Sequence, residues 1–212
     1  MSGEAPASAE TSESAETGLR DRNRRDRREA LVVAAYELFE QRGYGATTMD
    51  DVASRAGLSR RTAFRYFATK EELVFPERDE RLAALRELLV PREGETAFET
   101  VRRASLTFAR RYEGEREQML RQHRVVSAEP SLLGREQILD RAFEDLIEEA
   151  FARGTRDGSG RARRRARVRA AAVVGAIRAT LREWLDGGAT SDLVRLGRET
   201  FAELESGFGD EP

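Results

Sequence analysis

Between Ser59 and Lys70 the chain reads SRRTAFRYFATK, and the side chains there best equipped for chemistry are guanidiniums. Arginine makes paired hydrogen bonds to O6 and N7 of guanine in the DNA major groove. Arg60, Arg61, Thr62, Phe64 and Arg65 are left for such work once Ala63 and Phe67, four apart, face a core. A helix this short is marginal alone, so a bundle must hold it rigid. Other chemistries are poorly supplied. With no Cys and one His, disulfides, thiol catalysis, cysteine zinc sites and two-histidine metal sites are excluded. The glycine-bearing stretch RGTRDGSGR follows a predicted helix, not a strand, and so does not read as a phosphate-cradling loop. No catalytic residue, cofactor or metal is assigned, and the chain is not expected to be an enzyme.

Three helices must position those arginines. Leu31, Ala34, Ala35, Leu38 and Phe39 recur at helical spacing, and Gly43 stands where a left-handed cap would close that helix. Thr48 caps the second, with Asp51 in its first turn and Val52, Ala53 and Ala56 as its apolar face. Gly57-Leu58-Ser59 breaks the pattern, and Ser59 caps the third. Ala53 and Gly57, small and four apart, let two helices cross closely, as a helix-turn-helix requires. Thr69 with Glu72 predicts a capping box for the next helix, and Leu82, Leu85 and Leu88 mark the one after it, with Pro76 inside its start, where it should kink or delay that helix.

Of the 212 residues 36% are charged, against about 25% in ordinary globular chains, which suits solvated helices. The expected class is all-α: an N-terminal three-helix helix-turn-helix domain and a larger C-terminal helical domain. Residues 1–19, with four Glu and no basic residue, predict a disordered tail. Residues 20–75 predict the helix-turn-helix domain with a basic N-terminal arm, and residues 76–212 a helical effector-binding and dimerisation domain. The longest apolar run, Ala170–Ile177, is eight residues against the roughly 20 that span a bilayer, so no membrane segment is expected. The opening MSGEAPASAE has neither the basic start nor the apolar run of a secretory signal, and a cytoplasmic protein is expected.

Three stretches in order, ELFEQRGYGATT, VASRAGLS and FRYFATKEEL, resemble the TetR family of transcriptional repressors over about residues 28–75. The resemblance implies DNA contacts from Thr48, Arg60, Arg61, Thr62, Phe64, Tyr66 and Lys70, to which the outward face of the third helix adds Arg65. Of 37 basic residues only Lys70 is a lysine, and it stands where the family has a phosphate-contacting one. Two residues depart from the pattern: Phe64 replaces a frequent Tyr, and Asp50 stands where basic residues are common. Asp50 suits either a cytosine amino group or the helix dipole. The net charge is −2, but residues 20–72 carry twelve basic and nine acidic residues. That footprint predicts roughly three to five phosphate contacts per half-site. The Arg20–Arg28 run, six Arg against two Asp, reads either as an arm reaching into the minor groove or as a solvated start of the first helix.

The family's C-terminal helices dimerise and bind an effector. Ala170, Ala171, Ala172, Gly175, Ala176 and Ala179, followed by Leu193, Leu196, Phe201 and Leu204, suit the first task. Candidate pocket residues are Phe98, Val101, Phe108, Met119, His123, Phe143, Ile147 and Trp184, although aromatics at helical spacing are more often plain core. His123 reads as a satisfied core histidine first and a ligand hydrogen bond second. Arg161, Arg163, Arg164, Arg165, Arg167 and Arg169 read as a solvated face paired with Glu144, Glu148 and Glu149, or as an anionic site for the phosphates of an acyl-coenzyme A. The resulting expectation is a homodimeric, ligand-responsive repressor that binds a palindromic operator on double-stranded DNA and releases it to a small-molecule effector. The alternative is a sequence-indifferent DNA architectural protein without a ligand.

Overall fold

A computed structural model describes residues 7–153 and 159–207, all of whose regular elements are helices. The chain divides into two compact units, Met1–Pro76 and Glu77–Pro212.

The first unit holds α1 (Ala7–Arg42), α2 (Met49–Arg55), α3 (Arg60–Tyr66) and α4 (Lys70–Val74). Its core is the α1 stripe Leu31, Ala34, Ala35, Leu38 and Phe39, closed by Val52, Ala53, Ala63, Phe67, Leu73 and Val74. Gly43 and Gly57 both have positive φ, where an L side chain would be strained, and they end α1 and α2 as the sequence requires. The Leu58 N–H returns to the Ala53 carbonyl at 2.9 Å, tightening the turn into α3. The Tyr36 hydroxyl donates to the buried Val74 carbonyl at 2.8 Å and ties α1 to α4.

Three local expectations fail here. The helix α1 begins at Ala7, so residues 7–19 are helical where composition predicts disorder; residues 1–6 lie outside the described residues. Alanine and glutamate are good helix formers, and extending a helix already nucleated costs far less than starting one. Thr69 precedes α4 without a side-chain capping bond, and Glu72 instead accepts from the Ala68 N–H at 2.8 Å. Pro76 falls between α4 and the next helix rather than inside either.

The second unit holds α5 (Arg78–Leu88), α6 (Ala97–Gly114), α7 (Arg116–Ala128), α8 (Pro130–Arg153), α9 (Gly160–Asp186) and α10 (Leu193–Ser206). The predicted loop Thr155–Gly160 lies outside the described residues except for Ser159, which caps α9, and Gly160. One cluster packs α5, α6, α8, α9 and α10 around Val101, Phe108, Ile147, Phe151, Val173 and Phe201. A second gathers Ala109, Met119, Trp184, Leu193 and Val194. Thr96 and Glu99 form a capping box on α6. Before it, Glu95 takes paired bonds from Arg103 at 2.7 and 2.9 Å, while the same guanidinium donates to the Leu88 and Val90 carbonyls. The Arg103 side chain, followed by the Arg92 backbone N–H, lowers the Glu95 carboxyl to about 2. Ile138, expected on an apolar face, is 54% exposed. No helix among the described residues is long and apolar enough to cross a membrane.

Candidate nucleic-acid interface

The seven residues of α3 are fixed from both ends. Ser59 accepts from the Thr62 N–H at 3.2 Å, and its hydroxyl lies 2.8 Å from that of Thr62. Ala63 and Phe67 are buried, as their spacing predicts, so the opposite face is turned outward. On that face Arg61 is exposed and has no ion-pair partner among the described residues. Arg60 is not idle: it pairs with Asp50 at 2.8 Å and lies 5.4 Å from the ring centre of Phe64, itself 39% exposed. Asp50 therefore steadies Arg60, a third role beside the two that the sequence suggests. Arg65 lies over the half-buried Tyr66 ring at 5.4 Å.

Thr48 and Lys70 are both already engaged. The Thr48 hydroxyl and N–H both donate to Asp51 Oδ2, at 2.5 and 2.9 Å, and the hydroxyl accepts from the Asp51 N–H. The Thr48 hydroxyl first, then its N–H, hold the Asp51 carboxyl below its usual range; Arg42, 2.6 Å away, adds to this. Lys70 Nζ donates to the Tyr44 carbonyl at 2.7 Å and to the Thr47 carbonyl at 2.8 Å, and sits 3.9 Å from the Tyr44 ring centre. An ammonium has three N–H groups, so Lys70 keeps at most one for a phosphate. Arg55 holds α2 to α1 through Glu37 at 2.6 Å. The sequence singled out none of Tyr44, Arg55 or Glu37. All three lie within the family-like stretches ELFEQRGYGATT and VASRAGLS, which give them no individual role.

The basic run Arg20–Arg28 is helix rather than arm. A helix about 10 Å across does not itself enter a minor groove about 6 Å wide, so only its arginine side chains can reach into one. Together with the last turn of α3 it frames an open groove of about 520 Å³.

In the second unit the eight candidate pocket residues do not form one site. Phe98, Val101, Phe108, Phe143 and Ile147 belong to the larger cluster, with Phe98 edge-on to Phe201 and Phe143 edge-on to Phe108. Met119 and Trp184 belong to the other, and the Trp184 indole donates to the Ser191 carbonyl. His123 is not a core residue: half-buried, it lies 2.9 Å from Asp186 and links α7 to α9. The six arginines opening α9 are exposed; Arg167 reaches Glu148 at 3.4 Å, and Arg169 lies over Phe151. A polar network absent from the sequence reading joins α5, α6 and α7. Glu77 and Glu115 each face both Arg81 and Arg111, at 2.8 to 3.4 Å, and burial raises the Tyr112 phenol beside them.

This arrangement, a buried-backed helix with arginines outward after a tight turn, is a helix-turn-helix suited to the major groove. Residues 31–75 match the model of bacterial regulatory proteins of the tetR family, and residues 95–209 match the MftR C-terminal domain. The putative mycofactocin biosynthesis transcriptional regulator MftR of Mycobacterium tuberculosis is 30% identical over 120 residues, which is 56% of this chain and 61% of that protein. The transcriptional activator FasR of Mycolicibacterium smegmatis is 46% identical over 50 residues, 24% of this chain and 23% of that one. The matches thus span less than two thirds of either relative. The crystal structure of Thermus thermophilus FadR, a TetR family transcriptional repressor in complex with lauroyl-CoA, matches with a TM-score of 0.55 and 25% identity, covering 87% of this chain and 96% of that one. With both units matched in order, the chain belongs to the TetR family of bacterial regulatory proteins, whose members are helix-turn-helix transcription regulators.

Proposed function

We propose that two copies of the chain bind an inverted-repeat operator through α3 and that a small molecule bound in the second unit releases them, making the protein a cytoplasmic, ligand-responsive repressor. The observation that carries this reading is the outward face of α3, Arg61 and Arg65 with Thr62 beside them, on a helix pinned by Ala63 and Phe67. Arg61 supplies the paired donors that guanine accepts. Arg65, one turn on, lies beside the flanking phosphates.

Pairing of two copies is supported by α9, where Val168, Ala171, Ala172 and Ala179 are exposed, small or apolar, and one helix from α10. A twofold pair would set its reading helices about one DNA turn apart or a multiple of it. For the effector, the likeness to a repressor holding lauroyl-CoA makes an acyl-coenzyme A the first class to test, with the arginines of α9 as its anion-binding side.

Selection of duplexes from a random pool near physiological salt tests the reading. Enrichment of an inverted repeat supports it, and lauroyl-CoA lowering affinity for that repeat supports the effector class. Retention of random duplexes without enrichment would favour a sequence-indifferent architectural protein instead.

A further inference from the structure

The arginines upstream of the core follow the register of the core itself. Arg20, Asn23, Arg24, Arg27 and Arg28 stand eleven residues, three helical turns, before Leu31, Ala34, Ala35, Leu38 and Phe39. The stripe of α1 that fills the bundle with apolar side chains therefore continues beyond it as a stripe of guanidiniums. Those same five residues line one wall of the 520 Å³ groove, and Arg65 and Tyr66 at the end of α3 line the other. Among the described residues no carboxylate lines it. The wall is also braced: Arg28 donates to the Pro76 carbonyl and lies 5.3 Å over the Phe67 ring, itself buried.

We propose that this groove is a second DNA-binding surface, in which the N-terminal extension of α1 and the last turn of α3 grip the phosphate backbone beside the base pairs that α3 reads. The inference rests on the operator-binding reading above and adds a site to it. Arg61 and Arg65 are four apart on one face of α3, so the groove begins one turn from the base-reading residue. Guanidiniums on two walls suit a line of phosphates better than a base edge, which would need a defined donor and acceptor pattern. Because the extension is helical, the arginines are already in register before DNA arrives, and less ordering entropy is lost than with a flexible arm.

The test is a salt titration of affinity for the selected operator in phosphate-free buffer, from 50 to 200 mM KCl. Arg24→Gln with Arg27→Gln removes two groove cations and keeps good helix formers, and circular dichroism checks that α1 persists. The control is Arg22→Gln with Arg25→Gln, the same charge change at exposed positions outside the groove. With about 0.9 counterion released per phosphate contact, the groove variant is expected to flatten the slope of log affinity against log salt by about 1.8. Affinity at 0.1 M KCl falls by about sixty-fold on the same arithmetic, with base preference kept. The control pair is expected to change the slope far less. An unchanged slope in the groove variant, or an equal loss in both variants, overturns the groove while leaving α3 as a reader. If the wild-type chain selects no operator, the operator-binding reading itself fails, and the groove with it.

Discussion

At the scale of single residues, the cations of the first unit divide into those holding the bundle and those facing outward. Lys70, the lone lysine, spends two of its three N–H groups on carbonyls at the end of α1 and the turn before α2. A guanidinium is a planar fork, whereas an ammonium is a compact charge, and two converging carbonyls beside a ring suit the compact one. This gives the exception to the arginine bias a structural reason. Lys70→Met is expected to destabilise the first unit by about 2 kcal/mol, read by urea unfolding, because it strands two acceptors of charged hydrogen bonds. Arg61→Ala, at an exposed position without an ion-pair partner among the described residues, should change stability by less than about 0.5 kcal/mol. It should nonetheless cost about 1–3 kcal/mol of discrimination at one base position per half-site.

At the scale of elements, α3 acts as a reading head because its back is flush with the core. Ala63 is fully buried, and Ala63→Leu is expected to cost about 1–3 kcal/mol and to weaken operator binding by displacing α3, a loss that anisotropy would detect. The connection between α5 and α6 carries an acid-sensitive lock. Glu95 is lowered from an ordinary value of 4.5 to about 2, so its contribution is complete above pH 4.5 and is lost as pH falls toward 2. Glu95→Gln should therefore flatten the decline in stability across that window, measured by thermal unfolding at stepped pH. What the sequence shows of these elements is mostly what lies within four residues: the Ser59 cap, the Thr48–Asp51 pair, and the Ala63 and Phe67 face. Lys70 meets partners 23 and 26 residues away, and Glu77 meets Arg111 across 34, and no local pattern encodes such meetings. The helical reach of α1 before Arg20 escapes a compositional reading for a different reason. Low hydrophobicity argues against a packed core, but a solvated helix continuing from a packed one needs no core of its own.

At the scale of the whole molecule, the chain is slightly acidic, but residues 20–72 carry twelve basic against nine acidic residues, so affinity depends on this local excess rather than on total charge. The proposed pairing through α9 makes a separate claim. Val168 is 59% exposed, and Val168→Asp is expected to leave a folded chain of near-native stability while shifting it toward monomer in sedimentation. Operator affinity should fall with it, since a monomer grips only one half-site. The central claim, that two copies read bases through the outward face of α3, is tested most directly by selecting operators in parallel with the wild-type chain and with Arg61→Ala. The expected result is an inverted repeat from both, with one symmetry-related position in each half-site relaxed in the variant. Identical base preferences at every position, or enrichment of a single unrepeated site by the wild-type chain, would contradict the account.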